Sequence, residues 1–212
     1  MIRVFKSSNC PQSLLGKKAY DGEDVKLQLL DDQHEKCYIC ERKRDTDFEI
    51  EHFKSQTNND DLKYDWNNLL YACNYCNKKK LHYYDNILNP LSENIEDEIK
   101  QELAFDGKGA VFTALKTSDK HFATVKMLDL VFGNSSKIKK IKEKRLFEQL
   151  LSSINDFNGK IKLYLEHPQL DLAKAIKAEL DIKSEFLGFK YWIIKNNEVL
   201  CKTFAQDIIW NK

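Results

Sequence analysis

Four cysteines constrain this chain more than any other feature. They fall as two C-x2-C pairs, Cys37/Cys40 and Cys73/Cys76, with 32 residues between the pairs. Two thiolates two residues apart can grip one tetrahedral ion, and two such pairs close a Zn²⁺ shell with no position left for water. The zinc expected here is therefore structural, fastening the start of a short segment to its end. Four unrelated core cysteines are the plainer alternative, and the doubled spacing argues against it. Cys10 and Cys201 have no such neighbour and read as buried free thiols.

The bracketed segment has its own texture. Phe48-Glu49-Ile50-Glu51-His52 alternates apolar and polar, as a half-buried strand does. Residues 54–68 are rich in Asn, Asp, Ser and Thr and read as a long loop. Leu69-Leu70-Tyr71-Ala72 is a second short apolar strand, and residues 74–82 form a lysine-rich exposed helix. So small a unit can hardly be stable on its own core, which makes metal ligation a source of folding energy.

Outside the bracket, a short helix is expected over residues 24–30. After Pro90 the spacing becomes helical throughout. Phe122, Val125, Leu128 and Phe132 line one face, with Ser118 or Asp119 as cap and Gly133 as stop. Ile138, Ile141, Phe147, Leu150, Leu151, Ile154 and Phe157 outline a longer helix over 136–158, punctuated by Gly159 and Pro168. Further helices are expected over 173–180 and 184–194. The fold class is α+β, mostly α. Its expected organisation is an N-terminal segment 1–35, a module 36–90 and a helical region 91–212 able to bind a partner.

Charge is nearly balanced, with 34 basic and 33 acidic side chains and a net charge of +1. Tight stand-alone nucleic-acid binders carry a larger positive excess, because their affinity comes from neutralising phosphates. Local clusters matter more: Arg42-Lys43-Arg44, Lys78-Lys79-Lys80, and residues 137–145. The last of these reads as a solvated helix face, since Glu143 interrupts it. No apolar run is long enough to cross a bilayer, and residues 1–12 lack the apolar centre of a secretory signal. A cytoplasmic protein is expected.

The run EIEH, then WNNLLYAC, then CNKKK resembles the signature of zinc-knuckle HNH endonucleases, whose active site is a ββα-metal module. In that pattern an acid-His pair ends the first strand. An Asn stands five before a cysteine, and a His or Asn follows the last cysteine; Asn68 and Asn77 fit those places. Phosphodiester hydrolysis needs a water deprotonated near neutral pH, which suits an imidazole, so His52 is the expected general base. Glu51 and Asn77 offer hard oxygens for a catalytic Mg²⁺ or Mn²⁺. The resemblance implies that Asn68 orients the loop and the His52 backbone, and that Lys80 meets a phosphate. Glu51 stands where Asp is commoner. His82, further along the expected helix, is a weaker substitute ligand.

A wider similarity runs from MIRVFKSSNCPQSLL through CYICE, EIEHF and DNILNPL to SEFLGFKYWIIK. It resembles the HNH nuclease subunit of Septu anti-phage systems and of retron-associated defence modules. That resemblance implies a defence effector working with an ABC-type ATPase, and this chain carries no Walker A loop of its own. DNA is the favoured substrate. The alternatives are a non-catalytic four-cysteine module that binds nucleic acid or protein, and an RNA-cleaving toxin using the same site, because none of these residues reports on a 2′-hydroxyl.

Overall fold

The computed structural model describes residues 1–43, 48–134 and 140–210. Arg44 of the first basic cluster, and Lys137, Ile138 and Lys139 of the third, lie outside the described residues, as does the expected start of the long helix at residue 136.

Two short helices open the chain, α1 (Gln12–Leu15) and α2 (Glu23–Asp32). The module follows as β1 (Phe48–His52), β2 (Leu69–Cys73) and α3 (Asn74–Lys80). The strands pair antiparallel, with Phe48 opposite Cys73 and His52 opposite Leu69. The loop between them holds two 3-10 turns, Asp60–Leu62 and Trp66–Asn68.

Alternation along β1 sorts its side chains onto two faces. Phe48 and Ile50 pack with Val25, Leu29 and Trp66 on the side of the N-terminal helices. Glu49 and Glu51 point the other way, to α3. β2 is buried throughout: Leu69 and Tyr71 join the N-terminal layer, while Leu70, Ala72 and Cys73 join the main core. A strand covered on both faces reads as an unbroken apolar run, which is why its sequence does not alternate.

The region after Pro90 departs from an all-helical reading. A one-turn helix α4 (Ile95–Glu98) leads into a hairpin of β3 (Ile99–Leu103) and β4 (Ala110–Ala114). The signal was present: Ala110 and Phe112 are buried while Val111 and Thr113 are exposed, and Asp106-Gly107 is a hairpin turn pair with Gly107 at φ 67°. Five-residue strands are easily lost among helical spacings.

Helices complete the fold: α5 (Asp119–Phe132), α6 (Ile141–Glu166), α7 (Leu170–Glu179), α8 (Leu187–Lys195) and α9 (Glu198–Phe204). Gly133 ends α5 at φ 74°, a left-handed turn that suits glycine. Three details correct the helical reading. Phe122 and Ile141 are exposed rather than core-facing. Gly159 interrupts nothing, since α6 runs through it to Glu166; in a long, well-packed helix one glycine costs only ~1 kcal/mol. Cys10 and Cys201 are half-buried rather than buried.

One apolar cluster joins the module to the later helices. Leu70, Ala72 and Tyr75 share it with Met127 and Val131 of α5 and Leu146 and Leu150 of α6. The Tyr75 hydroxyl donates to the Val131 carbonyl at 2.6 Å, and Lys79 pairs with the buried Glu143 at 2.8 Å. A second cluster, with Phe157, Ile176, Trp192 and Phe204, holds α6 to α9 together. No helix among the described residues is long and apolar enough to cross a membrane.

Candidate active site

The four bracketing cysteines converge. Their sulfurs all lie within 4.8 Å of one another, and the Cys40 and Cys73 sulfurs are 3.9 Å apart. Tetrahedral zinc with sulfurs at about 2.3 Å sets them about 3.8 Å apart, so the set fits the ion. Glu41, at φ 60°, turns the chain after the first pair, and the Cys37 N–H donates to the Arg42 carbonyl at 3.0 Å. Burial pushes the Cys37 and Cys76 thiols well above their ordinary range, and hydrogen bonds from the Cys37 thiol pull Cys40 and Cys73 below it. Four thiolates in so small a buried volume need a cation to neutralise them. Cys73 ends β2 and Cys76 sits in α3, so an ion held by the four sulfurs would tie strand, helix and the 37–40 turn together.

His52 closes β1 beneath the 54–68 loop and is buried. Its Nε2 lies 3.0 Å from the Lys63 carbonyl, and its Nδ1 lies 3.1 Å from Gln56 Nε2. A carbonyl oxygen can only accept, so Nε2 carries the proton, and Nδ1 keeps the lone pair in the neutral ring. Burial lowers the His52 pKa below its ordinary value, partly offset by the bond to Lys63, so the ring is neutral at pH 7. Tyr20 sets its ring edge-on to the imidazole, centroids 4.8 Å apart.

Asn68 is buried in the loop base. Its Oδ1 accepts from the Lys54 N–H at 2.7 Å, and its Nδ2 donates to the carbonyls of Lys54 at 3.0 Å and Leu62 at 3.3 Å. It therefore clamps the backbone two residues after His52, rather than that of His52 itself. It also holds the turn that carries the Lys63 carbonyl. The N-terminal segment braces the second turn, Trp66–Asn68: Lys6 donates to the Trp66 and Leu69 carbonyls, and Trp66 Nε1 donates to the Ser7 carbonyl.

On the other face of β1, Glu49, Glu51 and α3 make a ladder of polar contacts. Positions 74, 77 and 80 share one side of α3. Asn74 and Asn77 donate to Glu49, the latter at 2.6 Å, and Lys80 donates to Glu51 at 2.8 Å. Because Nδ2 of Asn77 is committed to Glu49, its Oδ1 is the end left to accept. Glu51 gives Oε1 to Lys80 and retains Oε2. Burial raises the Glu51 pKa, with the Lys80 ammonium opposing it. Asn77 Oδ1 and Glu51 Oε2 are both hard oxygens, the donor type that a magnesium-like cation takes.

Two expectations need correction. Lys80 is fully buried, pairing with Glu51 and with Asp85 at 3.7 Å and donating to the His52 carbonyl at 3.3 Å, so it does not face a phosphate. The helix ends at Lys80, and His82 sits exposed in a following 3-10 turn, tilted against the Tyr83 ring and beyond the end of α3. Sequence reasoning also missed Glu49, Gln56, Lys63 and Tyr20. Only Glu49 had a readable signal, its place two residues before Glu51. The others reach the site through loop and tertiary geometry.

Comparison with known proteins agrees with this geometry. Residues 37–82 match the family model described as HNH endonuclease. The Septu protein PtuB of Bacillus thuringiensis is 32% identical over 91 residues, covering 40% of this chain and 35% of that protein. The chain thus spans about a third of the length of the curated relative it matches. No solved structure matches significantly.

Proposed function

Since residues 37–82 match the HNH endonuclease family model, we propose that the chain is a divalent-metal-dependent endonuclease hydrolysing phosphodiester bonds, with DNA as substrate. The tautomer of His52 supports this reading best. A neutral imidazole with its lone pair on Nδ1 and its N–H anchored on a backbone carbonyl is the state a general base must hold before reaction. Once the attacking water displaces the Gln56 amide from His52 Nδ1, that nitrogen takes the water's proton, and the Lys63 carbonyl then steadies the imidazolium through Nε2. Asn68 holds the turn that carries that carbonyl, so it acts as a positioning residue. Glu51 and Asn77 would hold the divalent ion, Mg²⁺ or Mn²⁺, which when bound supplies positive charge to the phosphate and the leaving oxygen. Structural Zn²⁺ on Cys37, Cys40, Cys73 and Cys76 would tie β2 and α3 to the 37–40 turn.

The similarity to the Septu protein supports a role in anti-phage defence. We further propose an ABC-type ATPase subunit as partner and the cytoplasm as the place of action. The reading is tested by incubating the chain with plasmid DNA, and separately with RNA, in Mg²⁺ or Mn²⁺, with and without a candidate ABC-type ATPase partner. Cleavage by the native chain and a loss of roughly 10²- to 10⁴-fold in His52→Ala is the expected result. Undiminished cleavage by His52→Ala would remove the imidazole from its role, and cleavage of RNA alone would reassign the substrate.

A further inference from the structure

The lysines near the imidazole are not equivalent. Lys80 is consumed internally by Glu51 and Asp85, Lys79 is paired with Glu143, and Lys54 donates to the Asp85 carbonyl. Lys63 differs. Among the described residues its ammonium has no carboxylate partner; it rests over two aromatic rings, 5.5 Å from the centre of Tyr64 and 5.8 Å from that of Tyr20. Tyr20 is also the ring that meets His52 edge-on. The carbonyl that anchors the imidazole belongs to Lys63 itself. The charge and the general base are thus tied together twice, through one backbone and through one shared ring.

Cation–π contact holds an ammonium in place while leaving its charge unneutralised. An ammonium so held is open to an anion, and a phosphodiester is the anion that this site would handle.

We propose that Lys63, cradled by Tyr20 and Tyr64, is the phosphate-binding cation of the site, contacting a non-bridging oxygen of the nucleic-acid backbone, the task that Lys80 is too buried to perform. This rests on the nuclease reading. The His52 anchor is a backbone carbonyl, so replacing the Lys63 side chain leaves it in place.

The test measures binding of a fluorescein-labelled 20-base-pair DNA duplex by anisotropy, in buffer without added divalent ions, across a series of NaCl concentrations. Lys63→Ala and Lys63→Gln are expected to weaken binding by about 5- to 10-fold and to lower the slope of log affinity against log salt by about 1. Lys63→Arg should restore both. A purely structural role for Lys63 would not move the salt slope. Unchanged affinity and slope in correctly folded Lys63→Gln would overturn the proposal, as would failure of the native chain to bind the duplex at low salt. Plasmid cleavage that persists while binding ignores Lys63 would sink this inference alone. Lys63-dependent binding without cleavage under any condition, ATPase included, would sink the nuclease reading and leave the phosphate contact standing.

Discussion

At the scale of single residues, His52 is defined by what touches its two nitrogens. Its desolvated pocket holds the pKa below the ordinary value, so the base form persists on mild acidification. Activity is therefore expected to be full at neutral pH and to fall only below the unperturbed histidine value of about 6.5. The sign for stability is the same. The folded state disfavours the charged ring, so its contribution is complete above the unfolded pKa and is lost as pH drops through the lowered folded one. A profile of kcat/KM against pH, with NMR titration of the imidazole, checks this; an acid limb centred above about 7 would contradict it. Asn77 shows the same logic without titration. It is its bond to Glu49, rather than its own chemistry, that decides which end of the amide is left to accept.

At the scale of elements, β1, β2 and α3 are too short to define one another. Two five-residue strands and a seven-residue helix leave few cross-strand pairs and barely two helical turns. Isolated hairpins and helices of this length are marginal in water. A metal on the four sulfurs would supply the missing restraint, since they lie on β2, on α3 and in the turn that precedes β1. Metal analysis is expected to find one zinc per chain. Cys40→Ser should lose it and strip hydrogen-exchange protection from β1, β2 and α3. Structural zinc of this kind contributes on the order of 10 kcal/mol, comparable to the whole stability of a domain. Protection unchanged in the zinc-free variant would show that the metal is not structural.

At the scale of the whole molecule, the module does not end where its motif ends. Leu70 and Tyr75 share a cluster with α5 and α6 side chains, and Glu143 at the start of α6 receives Lys79. Each apolar side chain stripped of such cover loses roughly 1.5–3 kcal/mol, so a handful exceeds what a small domain has to spare. A fragment of residues 1–90, supplied with zinc, is therefore expected to lack a cooperative thermal transition in calorimetry. A sharp transition near that of the full chain would refute the shared-core account. The same cluster keeps α3, and with it Asn77, at a set distance from β1.

Much was legible in the sequence where chemistry is local. Cysteine spacing located the metal shell, alternation located β1 to its last residue, and an unbroken apolar run located β2. These signals are carried by neighbours along the chain, so no tertiary knowledge is needed to see them. The β3–β4 hairpin was lost because two five-residue strands offer too few periods to stand out against long helices. Lys80 was misjudged because spacing reports which side of a helix a residue occupies, and only packing reports whether that side meets solvent or a pair of carboxylates. The metal-ligand cysteines and the positions of β1 and β2 were thus determined by the sequence alone. The protonated nitrogen of His52, the free end of Asn77 and the choice of Lys63 over Lys80 were decided by the tertiary structure, because each depends on an atom brought in from a distant part of the chain.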